Sequence, residues 1–262
     1  MAFKILVVGD VVGRPGREII RDHLRPYAEE HSIDFVIVNG ENAAGGLGIS
    51  SPIANQLFEW GADVVTVGDH VWKKKDIIPL AKSDVRFVRP ANFPSESPGR
   101  GWTCINSLSG QPVGVICVVG RTFMQPAECP FKAVDRALAQ LSPQTKVILV
   151  EIHAEATSEK LAMGWYLNGK VSAVYGTHTH VQTADERVLS EGTAYITDIG
   201  MTGGHESVLG RKIEPVLKKF ITNLPAPFDI ASGDLRICGA VITIDAASGR
   251  AEAIERTVIK PD

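Results

Sequence analysis

The run Phe3-Lys4-Ile5-Leu6-Val7-Val8-Gly9 ends at Asp10, and the same pairing of a short apolar segment with a metal-binding side chain recurs along the chain. Phe35-Val36-Ile37-Val38-Asn39-Gly40 ends at Glu41-Asn42, and Val64-Val65-Thr66-Val67-Gly68 ends at Asp69-His70. Val147-Ile148-Leu149-Val150-Glu151-Ile152 ends at His153, and Ala173-Val174-Tyr175-Gly176-Thr177 ends at His178-Thr179-His180. Apolar runs this short read as strands buried on both faces. Sheets of such strands gather ligands just beyond their carboxyl ends. Five endings rich in carboxylate, amide and imidazole therefore predict one crowded polar site, most simply a two-metal hydrolytic centre.

Between these strands the pattern is helical. After the turn expected at Gly13-Arg14-Pro15-Gly16, Ile19, Ile20, His23, Leu24 and Tyr27 fall at helical spacing within Arg17 to Glu30. Pro52 to Trp60 predicts a second helix stopped by Gly61, and Phe131 to Leu141 a third. A fourth runs to about Leu167, with Thr157 or Ser158 as its expected cap. Val85 to Val88, Val113 to Val119 and Ala194 to Thr197 read as further strands. Leu235 to Ile244 and Ala251 to Ile259 predict a hairpin across Ala246-Ala247-Ser248-Gly249. Pro94 to Gly101 is a surface loop by composition. No repeat or low-complexity linker divides the 262 residues, so a single α/β (α+β) domain with mixed sheets and outer helices is expected.

Bulk composition excludes several classes. A formal net charge of -3 gives no basic surface for bulk duplex nucleic-acid binding, and Lys73-Lys74-Lys75 reads as a solvated face. The cysteines Cys104, Cys117, Cys129 and Cys238 form no C-x-x-C pair and ask for no disulfide; Cys117 and Cys238 lie in apolar runs and read as buried. No run approaches the ~20 apolar residues of a membrane span, and Asp10 interrupts the N-terminal stretch too early for a signal peptide. A cytosolic protein is expected.

Imidazole and carboxylate together suit Zn, Mn, Fe or Co, and no thiolate is offered at these positions. Four of the seven histidines, His70, His153, His178 and His180, terminate strand-like segments. His178 and His180 have the spacing that puts both side chains on one side of an extended chain. Asp10 and Glu41 are the natural anionic ligands, one of them bridging. A histidine that is not a ligand is then free to donate a proton.

The order Gly-Asp, Gly-Glu-Asn, Gly-Asp-His, His and Gly-Thr-His-Thr-His resembles the calcineurin-like metallophosphoesterase superfamily. More narrowly, Gly9-Asp10-Val11-Val12-Gly13, Asn39-Gly40-Glu41-Asn42-Ala43-Ala44, His153-Ala154-Glu155-Ala156-Thr157-Ser158-Glu159-Lys160 and Thr197-Asp198-Ile199-Gly200-Met201-Thr202-Gly203 resemble the bacterial YmdB-like phosphodiesterases. The resemblance extends over essentially the whole chain. It implies an αββα sandwich of two mixed β-sheets flanked by helices, with two divalent metals, Fe or Mn ahead of Zn, at one edge. Asp10, Glu41, Asn42 and His180 would surround the first metal. Glu41 would bridge to the second, which also takes Asp69, His153 and His178. His70 would be the catalytic acid or a phosphate-binding imidazole. The resemblance also implies hydrolysis of phosphodiesters by hydroxide generated at the metals, with 2′,3′-cyclic nucleotides a favoured substrate class, and self-association is plausible from the family.

Three departures from the wider superfamily stand out. Val12 replaces the usual His two residues after the first Asp, and Glu41 replaces the Asp before Asn42; the YmdB-like branch shares both. The third is Asp69 where Asn is usual. Asp10, Glu41 and Asp69 then set three negative charges against the four positive charges of two divalent ions.

Other segments carry paired readings. Gly45-Gly46-Leu47-Gly48 is a phosphate-approaching loop or, more simply, a set of turn formers. Glu155 is a partner for a ligand imidazole or part of the next helix. Phe123, in the loop from Arg121 to Phe131, stacks on a base or packs. Asp198 and Thr202 border the cleft with no readable role, and His23, His31 and His205 are surface or helix residues. Two other functions remain open beside the phosphodiesterase: a phosphomonoesterase or protein phosphatase, and a non-hydrolytic, metal-dependent nucleotide sensor.

Overall fold

Within Ala2–Val8, the strand β1, Ile5 and Val7 face one core and Leu6 and Val8 another, and all four are buried. That alternation is repeated throughout a fold of two stacked sheets. The computed structural model describes residues 2–261. In its first half, β2 (Asp10–Val11) leads to α1 (Gly13–Glu30), β3 (Phe35–Asn39), α2 (Ser51–Glu59) and β4 (Val64–Thr66). Next come α3 (Ile78–Ser83), β5 (Phe87–Val88), β6 (Trp102–Asn106), β7 (Pro112–Val119) and α4 (Pro130–Leu141). Then follow β8 (Ile148–His153), α5 (Thr157–Tyr166), β9 (Ala173–Thr177), β10 (Arg187–Val188) and β11 (Ala194–Ile196). The chain closes with β12 (Met201–Gly204), α6 (Ile213–Thr222), β13 (Leu235–Asp245) and β14 (Ala251–Ile259).

The first sheet runs β2-β12-β13-β1-β3-β4-β5, with β14 added along β13. β1, β3, β4 and β5 are parallel, whereas β13 lies antiparallel to β1, β12 and β14. The second runs β10-β11-β9-β8-β7-β6; its middle four strands are parallel and its two edge strands antiparallel. Side chains such as Ile5, Phe35 and Ile37 from the first sheet meet Val115, Leu149 and Tyr175 from the second in the central core. The outer face of the first sheet packs with α1, α2 and α3 through Ile19, Leu57 and Leu80. α4 and α5 cover the second through Val134 and Met163. This is the four-layer αββα arrangement with both sheets mixed, and burial on both faces explains why the strands read as unbroken apolar runs.

Two sequence expectations are corrected. Gly13 to Gly16 is the first turn of α1 and not a separate turn, because a Pro in the opening helical turn gives up only an N–H that has no helical partner there. Gly16 also lies so close to the Thr202 carbonyl that a Cβ would collide with it. At α5 the capping residue is Ala156, with no side-chain cap, and Thr157 is already helical. The short helix α3, the strand β6 and the helix α6 are additions to the sequence reading, and the 246–250 turn joins β13 and β14 as expected. Cys117 and Cys238 are buried and all four cysteines are free. No helix among the described residues is long and apolar enough to cross a membrane.

Candidate metal centre

The carboxyl ends of parallel strands from both sheets open at the same edge. From the first sheet come Asp10 after β1, Glu41 and Asn42 after β3, and Asp69 and His70 after β4. From the second come His153, the last residue of β8, and His178 and His180 after β9. All eight residues expected from the sequence are thus gathered in one place. Asp10, Glu41 and His153 are completely buried. Potential ligand atoms of Asp10, Glu41 and His153, of Asp69, His153 and His178, and of Glu41, Asp69 and His70 lie in groups within 4.8 Å. His180 is at the margin, with Nε2 3.8 Å from Asp10 Oδ1 and 3.2 Å from Asn42 Nδ2.

The His178-Thr179-His180 segment is not the extended chain that its spacing suggested. β9 ends at Thr177, and His178 and His180 have φ of 93° and 63°. Both histidines therefore reach the cluster through a turn of uncommon backbone geometry. That turn is fixed from below. Asp198 Oδ2 accepts from Thr179 N at 3.1 Å, from Thr179 Oγ1 at 2.6 Å and from Lys160 Nζ at 2.7 Å, and Lys160 and Asp198 are both fully buried. The His178 amide donates to Asp10 Oδ2 at 3.2 Å, joining the turn to the other sheet.

Each of the three histidines spends one ring nitrogen on an acceptor outside the cluster and turns the other inward. Thr177 Oγ1 donates to Glu151 Oε1, and His153 Nδ1 lies 2.8 Å from that hydroxyl oxygen, so His153 Nδ1 is the donor in the contact. His178 Nε2 faces Glu155 Oε2 at 3.3 Å, which supports the reading of Glu155 as an imidazole partner; it precedes α5. His180 Nδ1 donates to the Leu209 carbonyl at 3.2 Å. Fixing one nitrogen in this way sets the tautomer and leaves the other with a lone pair free for a cation.

The inward atoms are a poor match for each other and a good match for a cation. Asp10 Oδ1, Glu41 Oε2 and Asp69 Oδ1 are buried carboxylate oxygens that accept no hydrogen bond. Glu41 Oε2 stands 2.7 Å from His153 Nε2, an ion-pair contact not aligned as a hydrogen bond, and Asp69 Oδ1 is 3.3 Å from the same nitrogen. His178 Nδ1 and His153 Nε2 are 3.0 Å apart. Lone pairs converging at such distances in a buried place call for positive charge between them. At Gly68 a Cβ would overlap both the Glu41 carboxylate and the His153 ring, so only glycine leaves this space open. The residues present therefore fit divalent ions.

Protonation follows the same logic. Burial pushes the Glu41 carboxyl up to about 7, against the opposing charge of His153. Burial alone would depress the His153 imidazole, but the carboxylates of Glu41, Asp69 and Asp10 outweigh it and hold it well above its usual value. Burial also works against ionised Asp69, yet its close contact with His153, together with the charges of His70 and His178, keeps it far below the ordinary carboxylate range. His178 is lowered to about 4, by burial first and then by repulsion from His153. His70, partly exposed, is lowered by burial and makes contacts of 3.2 Å from Nδ1 to both Asn42 Oδ1 and Glu41 Oε1.

Comparison with known proteins agrees with this geometry. The YmdB-like protein family profile matches residues 6–257. The chain belongs to that family. A Bacillus subtilis (strain 168) relative named 2′,3′-cyclic-nucleotide 2′-phosphodiesterase is 46% identical over 259 residues, covering 99% of this chain and 98% of the relative. A hypothetical protein from Thermus thermophilus superposes with a TM-score of 0.92 at 40% identity, covering 99% of this chain and 100% of that one. A crystal structure described as a novel phosphatase from Mycoplasma pneumoniae gives 0.92 at 30% identity, covering 100% of this chain and 95% of that one.

The YmdB-like site has supports that the sequence reading passed over. Glu151, fully buried in β8, accepts from Asn39 Nδ2 at 2.5 Å as well as from Thr177, and Asn39 Oδ1 accepts the Glu41 amide at 3.0 Å. A lone carboxylate inside an apolar run was the available signal. Lys160, which belongs to the motif following His153, holds Asp198, and Asp198 in turn anchors the turn at Thr179. Phe123 is 89% exposed, so the packing reading fails. Gly45, Gly46 and Gly48 all have positive φ in a chain of turns, which favours the turn-former reading.

Proposed function

We propose that this chain is a dinuclear-metal-dependent phosphodiesterase acting on 2′,3′-cyclic nucleotides or related small nucleotides. The observation that carries the reading is the convergence of unpartnered carboxylate oxygens and inward imidazole nitrogens from both sheets, in a chain 46% identical to a 2′,3′-cyclic-nucleotide 2′-phosphodiesterase. Asp10, Asn42 and His180 would hold one ion, Asp69, His153 and His178 the other, with Glu41 shared. A donor set of oxygen and imidazole without thiolate suits Fe or Mn. Two such ions would lower the pKa of water and neutralise charge developing on the phosphate oxygens.

The protein residues set the geometry for that chemistry. Glu151, acting through Thr177, and Glu155 keep His153 and His178 in their ligand tautomers. His70 is oriented by Asn42 and Glu41 and lines the adjoining cavity, where it would give a proton to the leaving oxygen. Free cysteines, two of them partly exposed, fit a cytoplasmic setting.

The test is metal analysis after reconstitution, followed by turnover on 2′,3′-cyclic AMP and on p-nitrophenyl phosphate. About two ions per chain and a clear preference for the cyclic diester are expected. Fewer than two ions, or faster cleavage of the monoester, would overturn the proposal.

A further inference from the structure

Beside the candidate metal centre lies a cavity of about 410 Å³ whose lining combines two chemistries. Asn42, His70, His178 and His180 of the candidate metal centre line it together with the apolar Leu209, Val216, Phe220 and Phe228. A volume of this size is in the ~300–1,000 Å³ range of small-molecule sites. Among the described residues, the only charged ones lining it besides the histidines are Arg211 and Lys219, both cationic, so an anionic ligand is favoured.

The apolar part of the lining is a built feature. Val208 and Arg211 bridge across a tight turn in which Leu209 and Gly210 have φ of 52° and 86°. This unusual conformation presents the Leu209 carbonyl to His180 Nδ1 while Leu209 itself lines the cavity. Arg211 ties the wall together, donating from Nη2 to the Gly46 carbonyl at 2.5 Å and from Nη1 to the Phe228 carbonyl at 2.9 Å. A Cβ at Gly46 would strike this guanidinium. In α6 only Val216 is buried, and Val216, Lys219 and Phe220 share the face that borders the cavity. Phe220 is 79% exposed, with no packing role in the core to account for it.

Resting on the phosphodiesterase reading above, we propose that this pocket binds the nucleobase of the nucleotide whose phosphate occupies the metal centre, with Phe220 and Phe228 as its aromatic walls. Because one cavity is lined by both sets of residues, a phosphate held by the metal-site residues leaves the remainder of the same molecule to the apolar part of the lining. Flat aromatic rings there match a flat aromatic base, and stacking accepts any base because each has a π-face. Arg211 and Lys219 add the charge complement to a nucleotide. Phe123, the aromatic the sequence offered for this task, does not line the cavity.

The test uses the full metal-loaded chain with Phe220→Ala, and Phe220→Trp as the conservative variant. Because Phe220 lies outside the core, neither change should disturb folding. Turnover is compared on 2′,3′-cyclic AMP and on methyl riboside 2′,3′-cyclic phosphate, which has no base. Phe220→Ala should lose roughly tenfold more kcat/KM on cyclic AMP than on the base-free diester, mainly through KM, and Phe220→Trp should recover most of it. Equal losses on the two substrates, or none, overturn the pocket. Calorimetric binding of 3′-AMP and inorganic phosphate separates the two proposals. If the wild type hydrolyses neither diester, the phosphodiesterase reading fails. The pocket still stands in that case if Phe220→Ala weakens 3′-AMP roughly tenfold more than phosphate, and falls if both change alike or 3′-AMP does not bind.

Discussion

Thr177 Oγ1 lies 2.8 Å from His153 Nδ1 and donates a hydrogen bond to Glu151 Oε1, so one hydroxyl decides which nitrogen of His153 faces the candidate metal centre. The carboxyl it leans on is fully buried, and burial raises its pKa. A threonine there is therefore part of the site's chemistry although it touches no proposed ligand atom.

Thr177→Val keeps the shape and removes the link. Metal affinity should fall by about 10–100-fold, the usual cost of losing a partner behind a ligand. Loss of the hydroxyl also leaves His153 Nδ1 and Glu151 short of a partner, costing about 1–3 kcal/mol of stability. Competition with a chelator gives the first quantity and urea unfolding the second. Unchanged metal affinity would remove Thr177 from the site.

Asp69 contributes a third carboxylate, with Oδ1 buried and without a donor. Against two divalent ions the three carboxylates leave a formal surplus of one positive charge, and Asp69→Asn raises it to two. The variant should hold metal less firmly yet turn over faster at neutral pH, since a more positive pair acidifies water more strongly. Metal content after dialysis and kcat at pH 7 are the measurements. Equal retention and equal turnover would reduce Asp69 to a neutral oxygen-for-oxygen exchange.

Lys160 and Asp198 are fully buried and joined at 2.7 Å. Lys160→Met strands the Asp198 charge and should cost about 3–5 kcal/mol in equilibrium unfolding. Adding Asp198→Asn should return part of that stability but not the metal affinity, because the turn holding His178 and His180 loses its charged acceptor. Full recovery of both by the double variant would assign the pair a purely structural role.

Stability of the metal-free protein should depend on pH in a defined direction. His153, raised well above the ordinary 6.5, and Glu41, pushed up from 4.5 to about 7, both bind protons more tightly when folded. Their contribution is present below the unfolded values and is lost as pH rises through the folded ones. His178, lowered to about 4, acts in the opposite sense, but its contribution is already complete above the ordinary 6.5. The chelated protein should therefore lose Tm as pH rises, first through Glu41 up to about pH 7 and then through His153 above it, while divalent ions should flatten the curve by taking over from the His153 proton. Thermal scans with and without chelator will show this, and a rising Tm for the chelated protein would contradict it.

The ligand ends were legible because each depends on a few adjacent residues: an apolar run, then Asp10, Glu41, Asp69, His153 or His178. The sandwich followed from strands apolar on both faces. Less visible was anything assembled from distant segments. Glu151 gains its role from Asn39 and Thr177, and Asp198 from Lys160 and Thr179, partners that no local window contains. The period-two argument for His178 and His180 reached the right cluster by the wrong geometry, because a tertiary contact to Asp198 overrides the extended chain. α6 escaped notice for a different reason. Ile213, Val216, Leu217, Phe220 and Ile221 carry plain helical spacing, a signal the sequence offered, but only Val216 of that apolar face is buried, so the helix adds little to the core.

The proposed ligands are shared unequally between the layers: Asp10, Glu41, Asn42 and Asp69 from the first sheet, and histidines alone from the second. Neither layer could retain an ion pair by itself. Loaded with metal, the edge becomes a clasp, and the two sheets are sewn together where α helices do not cover them. Slow backbone hydrogen exchange at the ends of β3, β4, β8 and β9 would then report metal occupancy directly. Mutations deep in the shared core that shift one sheet against the other would reach the chemistry through this seam.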